Sequence, residues 1–471
     1  MLRVFCKGML AGLVLMALGG AAQAAVFYPT SFTLANGLQV VVVPDHLAPV
    51  VNQMVWYKVG AADEVPGKNG LAHYLEHLMF RGTDEIGPGE FSKIIAAQGG
   101  QDNAFTSYDY TAFYEEVAAD RLPMIMQMEA DRMQHLHIDA QTAVPELRVV
   151  LDERQQRTDN DPEGRFLERL DHRFMPDGYP YGRPVIGWKR EIEKLTPKDA
   201  EDFYRAHYAP NNAVVVITGD VRVEDVMRLA AATYGRVPRH KVAPRHVFGP
   251  APLPKTHRFK MVDAGVDQPE IVWRFAVPSY ATQKNNEAYA YEVLAEALDD
   301  GETGVLYHRL VAQRGLASAV ETAYDPDARG ETSLTIAASP RPGRGSAADQ
   351  TARLARAMRE SLKDIAARGL DAATVGAAKK RMERSAVFAR DGLSAAGYIF
   401  GSALATGHKV ADVEAWPDRI DAVTVDEVNA ALRALASTPR ETMGLLLPDP
   451  HASPAARDAA QPLLGQGAEI R

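Results

Sequence analysis

The chain is broken in the middle. From about Arg236 to Lys255 it is polar and carries Pro238, Pro244, Pro250, Pro252 and Pro254. Proline fixes φ and removes a backbone donor, so this stretch continues neither a helix nor a sheet and reads as a semi-rigid connector. On either side lie units of roughly 220 residues, too many together for one ordinary core. Their predicted elements run in a similar order. Before the break, Phe32–Val43 reads as a hairpin turned at Asn36-Gly37, and Pro49–Val59 as a strand. Leu71–Phe80 and Glu90–Gln98 follow as helices, the second stopped by Gly99-Gly100. Phe105–Val117 has strand character, and Leu122–His135 and Ala143–Arg157 are long helical stretches. After the break come a strand at Ile271–Val277, helices at Asn286–Leu298 and Tyr307–Ala312, and strands at Ala319–Ala323 and Ser333–Ala338. The repetition predicts an α+β fold of two homologous domains, each an antiparallel-rich sheet with helices packed on it. The expected division is 25–240, a linker at 241–255, 256–450, and a flexible tail at 451–471.

Residues 1–24 have the three parts of a secretory signal peptide. Arg3 and Lys7 are the basic start, Gly8 to Leu18 the apolar run, and Ala22-Gln23-Ala24 the small-residue cleavage site. The run is shorter than the ~20 residues of a bilayer span, so the expectation is cleavage after Ala24 and no membrane association afterwards. Cys6, the one cysteine, leaves with the leader. The mature chain therefore has no disulfides and no thiolate ligands, and any metal falls to histidine and carboxylate. Removing Arg3 and Lys7 moves the formal net charge from −9 to −11, which argues against nucleic acid and anionic lipid as partners. A periplasmic or extracellular location fits both features.

The motif that points to chemistry is His73-Tyr74-Leu75-Glu76-His77. On a helix, His73 and His77 lie one turn apart on one face with Glu76 beside them. Two neutral imidazoles at that spacing can hold Zn²⁺, and the intervening carboxylate can accept a proton from water. A catalytic zinc site usually has three protein ligands, so one is missing. Glu146 and Glu153, two turns apart on one helix, are candidates. Their ordinary alternative is a solvated helix surface.

Longer blocks resolve the choice by resemblance. GLAHYLEHLMFRGT, NAFTSYDYTAFYEEV, ELRVVLDERQQRTDNDPEGR and YPYGRPVIGWKREIEKLTPKDAEDFYRAHYAPNNAVVVITGD resemble the pitrilysin/insulinase family of zinc metallopeptidases. The likeness spans nearly all of the mature chain, and is closest to two-domain members similar to mitochondrial processing peptidase and its bacterial relatives. It implies one Zn²⁺ per chain on His73, His77 and Glu153, with Glu76 as general base and Glu146 as a supporting carboxylate. It also implies an edge strand at Asn103, Ala104, Phe105 and Thr106 that receives the substrate peptide, and a chain forming half of a clamshell dimer.

One departure matters. Active relatives carry an Arg and a Tyr in a stretch resembling L-R-x-x-R-G-L-A-Y. Here Leu310–Ser318 has Val311 and Ser318 at those places. Such groups stabilise a developing oxyanion. The expectation is therefore a heterodimer whose homologous partner lacks zinc but supplies the pair. The alternative is a self-sufficient homodimer using Arg309, Arg314 or Tyr324. A non-catalytic assembly or chaperone-like subunit, and a hydrolase of non-peptide substrates, are the competing functions. Mn²⁺ or Co²⁺ could replace zinc on such ligands.

Overall fold

The computed structural model describes residues 26–175, 178–254, 257–299 and 301–452. The leader with Cys6 and most of the tail lie outside the described residues. Two mixed sheets organise the rest. The first contains β1 (Thr30–Thr33), β2 (Gln39–Pro44), β3 (Val50–Tyr57), β4 (Gln101–Thr106), β5 (Thr111–Ala118) and β6 (Ala213–Gly219), in the order β1-β2-β6-β3-β5-β4. The second contains β7 (Arg258–Asp263), β8 (Glu270–Val277), β9 (Ala317–Tyr324), β10 (Thr332–Pro340) and β11 (Glu441–Pro448), in the order β7-β11-β8-β10-β9. Apart from β1, the two orders superimpose. Each has one parallel pair, β2 with β6 and β7 with β11, and otherwise antiparallel ladders. This is the expected α+β architecture of two similar units.

Two local readings need correction. Phe105–Val117 is not one strand: Ser107–Tyr110 turn the chain between β4 and β5, with the Ser107 amide donating to the Tyr110 carbonyl at 2.8 Å. The aromatic content of that stretch hid the turn. The helix expected at Ala143–Arg157 runs from Ala140 to Arg154 and ends in wider i→i+5 turns over Gln155–Asp159. Its start is set by Asp139, which accepts a hydrogen bond from the Thr142 amide at 2.9 Å. In the first hairpin only Gly37 takes positive φ, +94°. The Asn36 side chain instead donates to the carbonyls of Tyr234 and Val237, closing a longer loop.

Both sheets are covered on both faces, which is why β2 and β6 read as nearly unbroken apolar runs. The inner face of each carries helices of its own half. The outer face of each is covered by a helix from the other half. Pro162–Phe174 lays Phe166 and Leu170 on Met261, Val272 and Leu446. Reciprocally, Ala395–Thr406 lays Phe400 and Leu404 on Val41, Met54 and Trp56. The close approach depends on glycine: a Cβ on Gly401 would lie 2.0 Å from the Trp56 ring, and one on Gly444 would lie 2.7 Å from Phe166. Burying this apolar surface across the boundary ties the halves together.

The proline-rich segment is a pinned strap. Arg245 donates to the carbonyl of Ala405 and pairs with Asp63, and Phe248 packs on Tyr179 and Tyr181. Beside it, Arg329 from the second half pairs with Asp109 at 2.7 Å and with Asp63 at 2.9 Å. Asp109 belongs to the β4–β5 turn, so the second half grips the tip of the first sheet's edge hairpin.

Candidate metal centre

The helix Leu71–Leu78 starts without a side-chain cap of its own, since Gly70 precedes it with φ +96°. Its first amides are taken by the buried carboxylate of Glu64, which accepts from Ala72 at 2.9 Å and Gly70 at 3.1 Å. A carboxylate at a helix N-terminus also meets the positive end of the helix dipole. Burial nevertheless raises the Glu64 pKa to about 7. Leu71, Tyr74, Leu75 and Leu78 bury the opposite face in the first core. The Tyr74 hydroxyl donates to the Ala143 carbonyl at 2.6 Å, setting this helix beside Ala140–Arg154.

That packing brings distant residues together. The ligating atoms of His73, His77 and Glu153 lie within 4.8 Å of one another, and among the described residues no other group of His, Cys, Asp and Glu forms such a cluster. Glu153 Oε2 is 3.1 Å from His77 Nε2 and 3.7 Å from His73 Nε2. On its other side His77 Nδ1 is 2.9 Å from Glu146 Oε1, an arrangement that fixes the ring and turns Nε2 toward Glu153. His73 Nδ1 is buried with no hydrogen-bond partner among the described residues. Two imidazoles and one carboxylate, with no thiolate, are a donor set that suits zinc.

The electrostatics separate the two histidines. Burial, and then the neighbouring His77, lower the His73 pKa to about 4, so it stays neutral. Burial also disfavours a charge on His77, but hydrogen bonds to Glu146 and Glu153 outweigh it and raise its pKa to about 9. For Glu146 and Glu153 the hydrogen bonds overcome burial and hold both below the usual carboxylate range. Burial pushes Glu76 up, opposed by a hydrogen bond from the Thr106 hydroxyl at 2.5 Å. Glu76 is thus a carboxylate held beside the cluster of His73, His77 and Glu153.

The edge-strand residues divide between the two faces of the sheet. β4 pairs only with β5 among the described strands, so its other edge is free. Thr106 and Ala104 face the side of the motif helix, Thr106 through Glu76 and Ala104 against the first core. Phe105 points the other way, into a ring cluster with Trp56, Tyr110 and Tyr398. Asn103 is exposed, and its side-chain oxygen accepts from the Ala104 amide at 2.8 Å. Three supporting residues escaped the reading of the sequence. Arg81 Nε is 2.5 Å from Glu146 Oε2, Arg157 is 2.8 Å from Glu153 Oε1, and Glu64 caps the motif helix. Arg157 follows its partner Glu153 by four positions, one helical turn, which is a signal that was available, whereas Arg81 lies past the motif helix and meets Glu146 only through the fold.

Comparison with known proteins places this geometry. Residues 39–187 match the family model described as insulinase (peptidase family M16), and residues 194–382 match that of the peptidase M16 inactive domain. The zinc protease PqqE of Helicobacter pylori is 33% identical over 317 residues, which is 66% of this chain and 70% of that protein. The chain belongs to peptidase family M16, the insulinase/pitrilysin peptidases. A crystal structure of a protease from Helicobacter pylori, 27% identical, superimposes with a TM-score of 0.79 over 89% of this chain and 99% of that one. The periplasmic protease PqqL of Escherichia coli, 18% identical, shares the fold with a TM-score of 0.74, over 94% of this chain but 51% of that chain. Among the described residues no helix is long and apolar enough to cross a membrane.

Proposed function

We propose that the chain is a zinc-dependent endopeptidase acting on peptides or small unfolded proteins in an enclosed chamber, with one Zn²⁺ held by His73, His77 and Glu153. The observation that carries this is the convergence of two imidazole nitrogens and a carboxylate oxygen within 4.8 Å. When bound, zinc supplies a Lewis acid that polarises the scissile carbonyl and makes its water a stronger acid. Glu76 takes a proton from the attacking water and returns it to the leaving amine. Thr106 steadies the Glu76 carboxylate, and Glu146 keeps His77 turned toward the ion. Asn103, Ala104, Phe105 and Thr106 offer the free edge of β4 to an extended peptide, whose backbone can pair there without demanding one sequence. The test is metal analysis together with Glu76→Gln. The variant should keep about one zinc per chain and lose peptide cleavage by ~10²–10⁴-fold. Unchanged cleavage would reject Glu76 as the base, and wild-type protein without stoichiometric metal would reject the site.

The chain serves as the zinc-bearing subunit of a heterodimer. The groups that could replace the Arg–Tyr pair are engaged elsewhere. Arg309 pairs with Asp364, Arg314 lies 3.0 Å from Glu360, and the Tyr324 hydroxyl donates to the Pro278 carbonyl at 2.6 Å. Val311 is buried in the second core, and the Ser318 hydroxyl donates to the Ser339 carbonyl. In this reading 25–240 carries the chemistry, 241–255 joins it to 256–450, and the second unit helps to close the chamber. Cleavage assays of the chain alone and with a homologous partner lacking His-x-x-Glu-His decide the matter, and full activity alone would leave the homodimer. The leader directs the chain to the periplasm. N-terminal sequencing of exported protein should begin at Ala25, and a chain that keeps Met1 would refute this.

A further inference from the structure

The second half has a counterpart of the motif helix. Glu287–Leu298 lies between β8 and the β9–β10 hairpin, as Leu71–Leu78 lies between β3 and the β4–β5 hairpin. Setting Ala72–Leu78, A-H-Y-L-E-H-L, on Ala288–Leu294, A-Y-A-Y-E-V-L, keeps the alanine, the glutamate and the leucine. Tyr289, Glu292 and Val293 then stand where the first half has His73, Glu76 and His77. Beside Glu292 opens a cavity of about 630 Å³ between this half and the outer face of the first sheet. Boundaries between units are a common place for ligand sites.

The walls have a definite chemistry. One side is aromatic, from Trp56, Phe105, Tyr110 and Tyr398; the other has Tyr280, Tyr289 and Trp416. Carboxylates of Glu292, Asp325 and Asp327 reach the cavity, and among the described residues no lysine or arginine lines it. The remaining two acidic lining residues are paired: Glu296 with Arg381 at 2.9 Å, and Asp412 with Arg419 at 2.7 Å. Glu292 accepts from the Tyr280 hydroxyl and from Trp416 Nε1, and Asp327 accepts from the Ser402 hydroxyl. These are neutral donors, so they orient the carboxylates without neutralising them. Among the described residues the one basic group lining it is His408, whose pKa burial lowers and whose Nε2 has no partner there. Trp56 is only 1% exposed, and its Nε1–H likewise has no acceptor among the described residues.

We propose that this cavity binds an organic cation, an amine or guanidinium on an apolar stem, with Glu292 and Asp327 as counter-ions and the surrounding rings as its walls. Aromatic faces attract such cations through the ring quadrupole, and more strongly when water is excluded. A metal ion is the poorer fit, because the walls are mostly carbon and the carboxylates are already oriented by side-chain donors. Burial raises Glu292 to about 8 and Asp327 to about 7, with Asp325 adding to both shifts. A bound cation stabilises the ionised carboxylates, so affinity rises with pH through this range. The cation can be a free amine or a basic side chain of a peptide. Phe105 borders the cavity from the same strand that presents Thr106 to Glu76. The free-amine case stands without the peptidase reading.

Trp56 and Trp416, two of the four tryptophans, line the cavity, so intrinsic fluorescence of the whole protein reports on it. Titrations would use tyramine against its neutral counterpart tyrosol, and acetyl-Ala-Arg-Ala-amide against the citrulline peptide. The expected result is at least about tenfold tighter binding of each cationic probe that binds, tightening between about pH 6 and 8.5. Glu292→Gln combined with Asp327→Asn should weaken binding by about tenfold or more, and Glu76→Gln should leave it unchanged. Preference for the peptide assigns the site to a substrate side chain, and preference for tyramine to a free amine. Equal binding of charged and neutral probes overturns the proposal, as does no binding of either cation at about 10 mM. The probe comparison needs only wild-type protein, so it decides even if the double variant does not fold.

Discussion

The two halves share a strand order and a helix in the same topological place, yet they present opposite chemistry there. The first half sets two histidines on Leu71–Leu78 and closes on them with Glu153 from the helix Ala140–Arg154, so the space between is filled by polar atoms within 4.8 Å. The second half keeps one carboxylate, Glu292, and surrounds it with rings and a cavity. The difference shows how little of the candidate metal centre is set by the scaffold. The same helix, sheet and hairpin support either outcome, and a few side chains on facing helices choose between them. The halves also cooperate: Arg329 of the second grips Asp109 at the tip of the hairpin whose strand carries Thr106 to Glu76.

Changes at the corresponding places should therefore have unequal consequences. The largest falls on Glu153: Glu153→Gln removes one of three proposed ligands, and should abolish both zinc retention after desalting and peptide cleavage. Arg329→Met comes next. It leaves the buried Asp109 carboxylate without its cation, while Asp63 keeps Arg245, and should lower stability by roughly 3–5 kcal/mol, read from the urea midpoint. If that variant melts like wild type, the halves are not held together at the hairpin. Glu146→Ala leaves the ligands but frees the His77 ring, and should cost ~10–100-fold in zinc affinity by competition with a chelator. Glu292→Gln has the smallest effect and a distinct sign. The Glu292 carboxyl holds its proton up to about 8 in the folded chain, against an ordinary value of ~4.3 when unfolded. Its contribution to stability is therefore fully present below the unfolded pKa and is lost as pH rises through about 8. The variant should flatten the decline in melting temperature between about pH 5 and 9, and an unchanged slope would show that Glu292 is not desolvated.

Much of the local structure was legible. Leu122–His135 has the predicted bounds, the motif helix lies where periodicity places it, and the three strands read in the second half fall within β8, β9 and β10, whereas β7 and β11 were not read. Aromatic-rich Phe105–Val117 misled because its turn depends on contacts from elsewhere, with Asp109 held by Arg329 and Tyr181. The candidate site was only half visible. His73, Glu76 and His77 are neighbours on one helix, whereas Glu153 is 76 positions beyond His77, and only resemblance singled it out. The exchange of outer helices, Pro162–Phe174 for Ala395–Thr406, left no periodic trace, since each looks like an ordinary amphipathic or small-residue helix.

The amino-acid order alone determined the two-part organisation, the cysteine-free body, and the one-turn spacing of His73 and His77. Those are properties of composition and of short-range backbone geometry. Only the folded chain decided that Glu153 meets that pair, that β2 lies parallel to β6, and that the cavity beside Glu292 is walled by the other half. The physical reason is range. Hydrogen bonds within a turn are set by neighbours, but which surfaces bury one another depends on every residue that could compete for the same core.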